Sequence, residues 1–199
     1  MRPNDFELLL MRHGDADDWS EHGDEARALT ARGEAAIRRA AGAFEPLDLG
    51  WSEAWSSPAV RAHKTAHAVW ETHNTWYERA YGQALGLPKT HDALGVNSPV
   101  EELARFLVSR GQRFAGPRPT VAAFGHQPNL ESLVSLLMVG SLEARLSIGR
   151  GDLVHLFVSA PSPFDLILDP KEVEPLPRAV MLGFYPRTSL ELIAASQEP

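Results

Sequence analysis

Short apolar runs alternate with amphipathic stretches along almost the whole chain, and the two periods separate strands from helices. Residues 6–11, Phe-Glu-Leu-Leu-Leu-Met, are apolar on nearly every position, the pattern of a strand covered on both faces. A polar, acidic stretch from Asp15 to Glu25 predicts a loop. Thr30 then supplies an N-cap for an Ala-rich helix over 31–44, with Glu34 in its first turns. Residues 51–55 predict a short strand. Ser57 and Pro58 predict the N-cap and first turn of a second helix, with Val60, Ala62, Ala66 and Val69 on one side. Residues 73–90 are aromatic and irregular, and are expected to form a surface insertion or an extension of that helix.

The alternation continues to the C-terminus. Residues 100–108 predict an amphipathic helix, and 121–124 a buried strand that runs through Gly125-His126 into a helix over 130–139. Strands are expected at 153–158 and 180–185, separated by a Pro-rich loop near 160–178, with a short helix from Thr188. Strands alternating with helices define an α/β fold. The expected architecture is a three-layer sandwich whose mostly parallel central sheet is flanked by helices, built as one domain over residues 1–199.

Composition narrows the partners. Hydrophobic residues are 44% of the 199, charged residues 23%, and the net charge is −7, which argues against a broad nucleic-acid surface. An anion site must therefore be a local cluster. The absence of cysteine excludes disulfides, thiolate catalysis and Cys-based metal centres. The polar N-terminus with Pro3 is unlike a signal peptide, and no run approaches membrane-spanning length, so the expectation is a cytoplasmic protein with no membrane partner.

Candidate chemistry concentrates at three strand ends. Met11-Arg12-His13-Gly14, Ser57-Pro58-Ala59-Val60-Arg61 and Phe124-Gly125-His126-Gln127-Pro128-Asn129 each place basic residues at a strand tip or in the next helical turn. In a parallel sheet those tips share one edge, the edge where open α/β sheets bind ligands. Arginine holds phosphate oxygens in a fork and imidazole can attack phosphorus. Gly14 and Gly125 are expected to admit backbone amides, and the helix beginning near Asn129 its N-terminal dipole.

Leu-Met-Arg-His-Gly-Asp-Ala, Leu29-Thr-x-x-Gly33, Ser-Ser-Pro-x-x-Arg-Ala-x-x-Thr-Ala and Gly-His-x-Pro-x-Leu together resemble the histidine phosphatase (phosphoglycerate-mutase-like) superfamily. Their spelling is most like its SixA-type phosphohistidine phosphatase branch. The resemblance covers residues 7 to 135. It implies that His13 is the nucleophile and is transiently phosphorylated. It also implies that Arg12, Arg61 and His126 form the phosphate pocket, and that no cofactor or metal takes part. His63 and His67 stand at the i, i+4 spacing of a metal pair, but no third ligand is evident.

The family's leaving-group acid has no clear counterpart. Where it is expected, the chain reads His91-Asp92-Ala93-Leu94, and Asp92, Glu101 and Asp15 are the candidates. Extra basic residues for a second anionic group are not evident either. The expected activity is a phosphatase acting on phosphohistidine, in a protein or as a similarly activated phosphate, because that P–N bond breaks readily once its imidazole is protonated. The alternatives are a small-molecule phosphoester phosphatase or mutase-like enzyme, and a phosphate-binding module without turnover.

Overall fold

A computed structural model describes residues 5–113, 119–142, 146–159 and 178–197. Its strands are β1 (Asp5–Arg12), β2 (Glu53–Ser56), β3 (Lys89–Thr90), β4 (Thr120–Gly125), β5 (Leu153–Ser159) and β6 (Arg178–Tyr185). Its helices are α1 (Ala31–Ala41), α2 (Val60–Tyr81), α3 (Val100–Gly111), α4 (Asn129–Val139) and α5 (Arg187–Ala195). The sheet order is β3-β2-β4-β1-β5-β6. β1, β2, β3 and β4 run parallel, whereas β5 is antiparallel to both β1 and β6. The sheet is thus mostly parallel, as its apolar strands predict. Of the Pro-rich loop near 160–178, only Arg178 lies within the described residues, where it opens β6.

β1 shows why the apolar run of residues 6–11 has no polar face. Phe6, Leu8 and Leu10 enter one core with Leu103 and Leu107 of α3 and Leu130 and Leu133 of α4. Leu9 and Met11 enter the other with Ile37 of α1, Val69 of α2 and Leu190 of α5. Successive side chains on a strand point to opposite faces, so each helical layer takes its own alternate set. The helices flank the sheet on both sides.

Two local motifs have structural roles. Thr30 caps α1 by accepting a hydrogen bond from Gly33 N at 2.9 Å. At Gly33 a Cβ would lie 2.1 Å from the carbonyl oxygen of Asp15, a backbone contact that cannot give way. The Leu-Thr-x-x-Gly spacing therefore fixes how closely the first turn of α1 approaches the β1–α1 loop.

The start of α2 departs from the sequence expectation. Ser57 N still donates to Phe124 O at 2.9 Å, which extends the β2–β4 contact, and Ser57 Oγ accepts from Ala59 N at 3.2 Å. The helix begins only at Val60, after an Ala59 cap position with no side-chain bond. Ser57 thus makes a turn three residues ahead of the first helical residue. Residues 73–81 continue α2 and end at Gly82, whose φ of 70° is the left-handed C-cap conformation. Within this stretch His73 stacks on Trp76, with ring centroids 4.8 Å apart, and its Nε2 bonds to Leu49 O.

Candidate active site

β1 and β4 end side by side, with Arg12 opposite Gly125 and His13 N donating to Gly125 O at 3.1 Å. Arg61 follows in the first turn of α2. These parallel tips bring Arg12, His13, Arg61 and His126 around one cavity of about 200 Å³. The sequence expectation placed these four residues together, and the structure does so.

Each arginine is pinned at one end and open at the other. Arg12 Nη1 donates to Ile148 O at 2.8 Å. Arg61 Nη1 donates to Asp24 O at 2.6 Å, and its Nη2 to Asp24 Oδ2 at 2.8 Å. The Nε of both is buried without a partner. Both guanidinium groups thus carry a buried, unpartnered Nε–H beside the cavity they line. Both nitrogens of His126 are likewise buried and unpartnered. Buried polar groups of this kind call for partners, and an oxyanion in the cavity can accept from an N–H of each, including the one protonated nitrogen of His126.

His13 Nδ1 lies 2.7 Å from Gly14 O. A carbonyl oxygen only accepts, so Nδ1 carries the proton and Nε2 the lone pair. Burial, aided by the charges of Arg61, Arg12 and Arg150 and opposed by the Gly14 bond, pushes the His13 pKa down to about 4. Burial, with His13 and Arg61, takes His126 to about 3, against the opposing charge of Asp24. Both rings, whose centroids are 5.1 Å apart, are neutral at pH 7.

A pH dependence of stability follows. The unfolded imidazoles take protons near 6.5 and the folded ones near 4 and 3, so unfolding binds protons as pH falls through that window. This contribution is fully present above 6.5 and is lost progressively toward pH 4. The urea midpoint is expected to drop between pH 7 and 4, with a shallower slope for His126→Gln. An imidazole NMR titration should place the His13 midpoint near 4; a midpoint near 6.5 would contradict the buried geometry.

Gly14 serves a different purpose from the one expected. Its N–H donates to Thr65 Oγ1 at 3.1 Å, and Thr65 Oγ1 donates to Arg61 O at 2.7 Å. The amide is already committed, and a Cβ here would lie 2.7 Å from Ile37 Cγ1. Gly14 lets α1 close against the loop bearing His13, and Thr65 ties that loop to the turn bearing Arg61. At Gly125 a Cβ would make only ordinary contact, 3.4 Å from Leu130. Asn129 Nδ2 donates to the carbonyls of Gly95 and Ser98 at 3.2 and 3.1 Å, fastening the segment whose Val96 forms part of the cavity wall.

None of the three acid candidates lines the cavity. Asp15 Oδ1 accepts from Arg150 Nη1 at 3.2 Å, Asp92 is exposed in the 3₁₀ turn 92–94, and Glu101 begins α3. The carboxylate that does line it is Asp24, joined by Arg27 and Arg150. Extra basic residues are therefore present, contrary to the reading from motifs. Asp24 and Arg27 pair at i, i+3 within a stretch that hydropathy marks only as loop.

Arg150 was missed because only the C-terminal ends of parallel strands were considered. β5 is antiparallel, so the turn before its N-terminal end reaches the same edge, with Gly151 N donating to Arg12 O at 3.1 Å. His63 and His67 meet edge to face with centroids 4.5 Å apart. Among the described residues no group of three or more His, Asp or Glu could hold a metal ion. No described helix is long and apolar enough to cross a membrane.

A neutral buried imidazole beside two guanidinium groups, at the ligand-binding end of an α/β sandwich, is a site suited to an oxyanion and to phosphoryl chemistry. The family model of the histidine phosphatase superfamily (branch 1) matches residues 8–104. Over that stretch the chain is similar to that superfamily. Its fold matches the solved structure of the protein histidine phosphatase SixA complexed with tungstate, at a TM-score of 0.70 and 18% identity over 93% of this chain and 99% of that one. It also matches mycobacterial glucosyl-3-phosphoglycerate phosphatase, at 0.54 and 14% over 88% and 96%. An uncharacterized protein of Picosynechococcus sp. is 27% identical over 154 residues, 76% of this chain and 84% of that protein.

Proposed function

We propose that the chain hydrolyses phosphohistidine, or a phosphate comparably activated, through a phosphorylated His13. The Nδ1 bond to Gly14 O carries this reading, because it leaves a neutral Nε2 as the attacking nitrogen in a cavity lined by Arg12 and Arg61. The phosphoryl group is held on the Nε edges of Arg12 and Arg61 and against His126. Nε2 forms the bond to phosphorus as the substrate's P–N bond breaks. Water then cleaves the P–Nε2 bond and restores the neutral ring. The guanidinium groups stabilise charge on the equatorial oxygens through both steps. The scheme assigns no step to a metal ion, and the similarity to SixA supports a phosphohistidine substrate. We assign the reaction to the cytoplasm, in keeping with the lack of cysteine.

Arg27 and Arg150 favour a second reading. With His13 and His126 neutral, four arginines face the cavity against the single carboxylate of Asp24, more positive charge than one phosphoryl dianion neutralises. A small phosphoester with a second anionic group fits that surplus. Steady-state kinetics with a phosphohistidine peptide, a sugar phosphate and a carboxylate-bearing phosphoester separate the readings. The phosphohistidine peptide is expected to lead in kcat/KM by at least about tenfold, because its P–N bond breaks readily once the leaving imidazole is protonated. The reverse order would install the second reading. Tight orthovanadate binding with no turnover of any substrate would leave a binding module.

A further inference from the structure

We propose that Asp24 is the acid that protonates the leaving group. This deepens the reading above and rests on it, since it supplies the proton for the bond that His13 breaks. The leaving group needs a donor inside the cavity, and Asp15, Asp92 and Glu101 do not line it, whereas Asp24 does.

Its placement suits the task. The carbonyl and Oδ2 of Asp24 take the Nη1/Nη2 end of Arg61, while Arg61 Nε stays free. Arg61, Asp24 and His13 line one cavity, so a phosphoryl group bound there lies within reach of both the guanidinium and the carboxyl group. Oδ1 accepts from Arg27 Nε at 2.8 Å. The side chain is 55% exposed, so it can exchange protons with water, whereas Arg61 beside it is 3% exposed.

Binding also prepares the acid. In the free enzyme the bond to Arg61 holds the Asp24 carboxyl below its ordinary range. A phosphoryl dianion on Arg61 competes for that guanidinium and adds negative charge beside Oδ2. Both effects favour proton uptake by Asp24 once substrate is bound. The step is balanced. His13 Nε2 bonds to phosphorus, and the scissile P–N or P–O pair moves to the leaving atom, which takes the Asp24 proton. The attacking water later returns a proton to the Asp24 carboxylate as phosphate leaves.

The test is leaving-group dependence. Asp24→Asn keeps an oxygen for Arg61 and removes the acidic proton. Phenyl phosphate, whose leaving group needs protonation, should lose about 10²-fold or more in kcat/KM. With p-nitrophenyl phosphate, whose leaving group departs as an anion, the loss should stay within about tenfold, orthovanadate inhibition should be little changed, and Asp24→Glu should recover part of the phenyl phosphate rate. In the wild type alone, kcat/KM across substituted phenyl phosphates should depend only weakly on leaving-group basicity.

Equal loss on both substrates, with weaker vanadate inhibition, would make Asp24 a positioning residue for Arg61 and overturn the proposal. A gain in kcat/KM would make it a displaceable counter-ion, with the same consequence. A steep wild-type dependence would overturn it without any variant. His13→Ala separates the two levels: turnover surviving in that variant refutes the nucleophile, whereas an inactive His13→Ala beside a uniformly slowed Asp24→Asn refutes only the acid.

Discussion

His13→Ala is expected to reduce turnover by at least about 10⁴-fold, the scale on which removing a covalent nucleophile acts. The attacking atom is specified by a single contact, Nδ1 to Gly14 O, which leaves Nε2 as the basic nitrogen. Alanine removes both nitrogens and leaves the arginine edges in place, so oxyanion binding should persist while phosphoryl transfer stops. Incubation with a ³²P-labelled phosphodonor and an acid-free quench should label the wild type and not the variant, because a phosphoramidate bond is lost in acid. His126 is the one rival acceptor, being neutral and 5.1 Å away, ring centre to ring centre. His126→Gln should therefore retain label on His13 while slowing its formation. Label persisting in His13→Ala would move the nucleophile to His126. Circular dichroism and urea unfolding should show that the variant keeps its fold, as expected for a side chain at the cavity wall rather than in either hydrophobic core.

The sheet and the four-residue centre were legible because they depend on local pattern and on one topological rule. An apolar run such as Leu8-Leu9-Leu10-Met11 has to be covered on both faces, which forces helices to both sides, and the strand–helix alternation from β1 to β4 favours parallel strands. Parallelism then carries Arg12, His13, Arg61 and His126 to one edge. Arg150 escaped the same rule because β5 runs the other way. Asp24 and Arg27 escaped because a polar loop has no periodicity from which to infer where it folds, and the bond that fixes it, to Arg61, spans 37 residues.

The motifs also mix two kinds of residue that sequence alone does not separate. Thr30, Gly33, Thr65, Gly14 and Asn129 recur beside the chemistry yet serve packing and hydrogen bonding. Gly14 illustrates the difference, since its amide was expected to meet an anion and instead meets Thr65. The helix start after Ser57 misled for a related reason. Ser-Pro is a good opening for a helix, but Ser57 is still tied to Phe124 of the adjacent strand.

Arg61→Ala is expected to lower kcat/KM by about 10³-fold or more, comparable to the loss of an arginine that clamps a transferring phosphoryl group. Arg61 is the most enclosed charged group at the site, with 3% of its side chain exposed, so its interaction with an oxyanion is little weakened by water. Its Nη1/Nη2 end is spent on Asp24, and its Nε edge is buried and unpartnered beside the cavity. Alanine removes that edge and also strands Asp24, leaving a carboxylate beside the incoming dianion with only Arg27 to offset it. Arg61→Lys isolates the geometry. The charge is kept, but one ammonium cannot hold Asp24 O, Asp24 Oδ2 and a phosphoryl oxygen along two edges at once. The lysine variant should therefore remain at least about tenfold below wild type in kcat/KM, with orthovanadate inhibition weakened by a similar factor. Full activity in Arg61→Lys would mean that only charge matters at this position. Weakened vanadate binding with unchanged kcat would mean that Arg61 holds the ground state as tightly as the transition state.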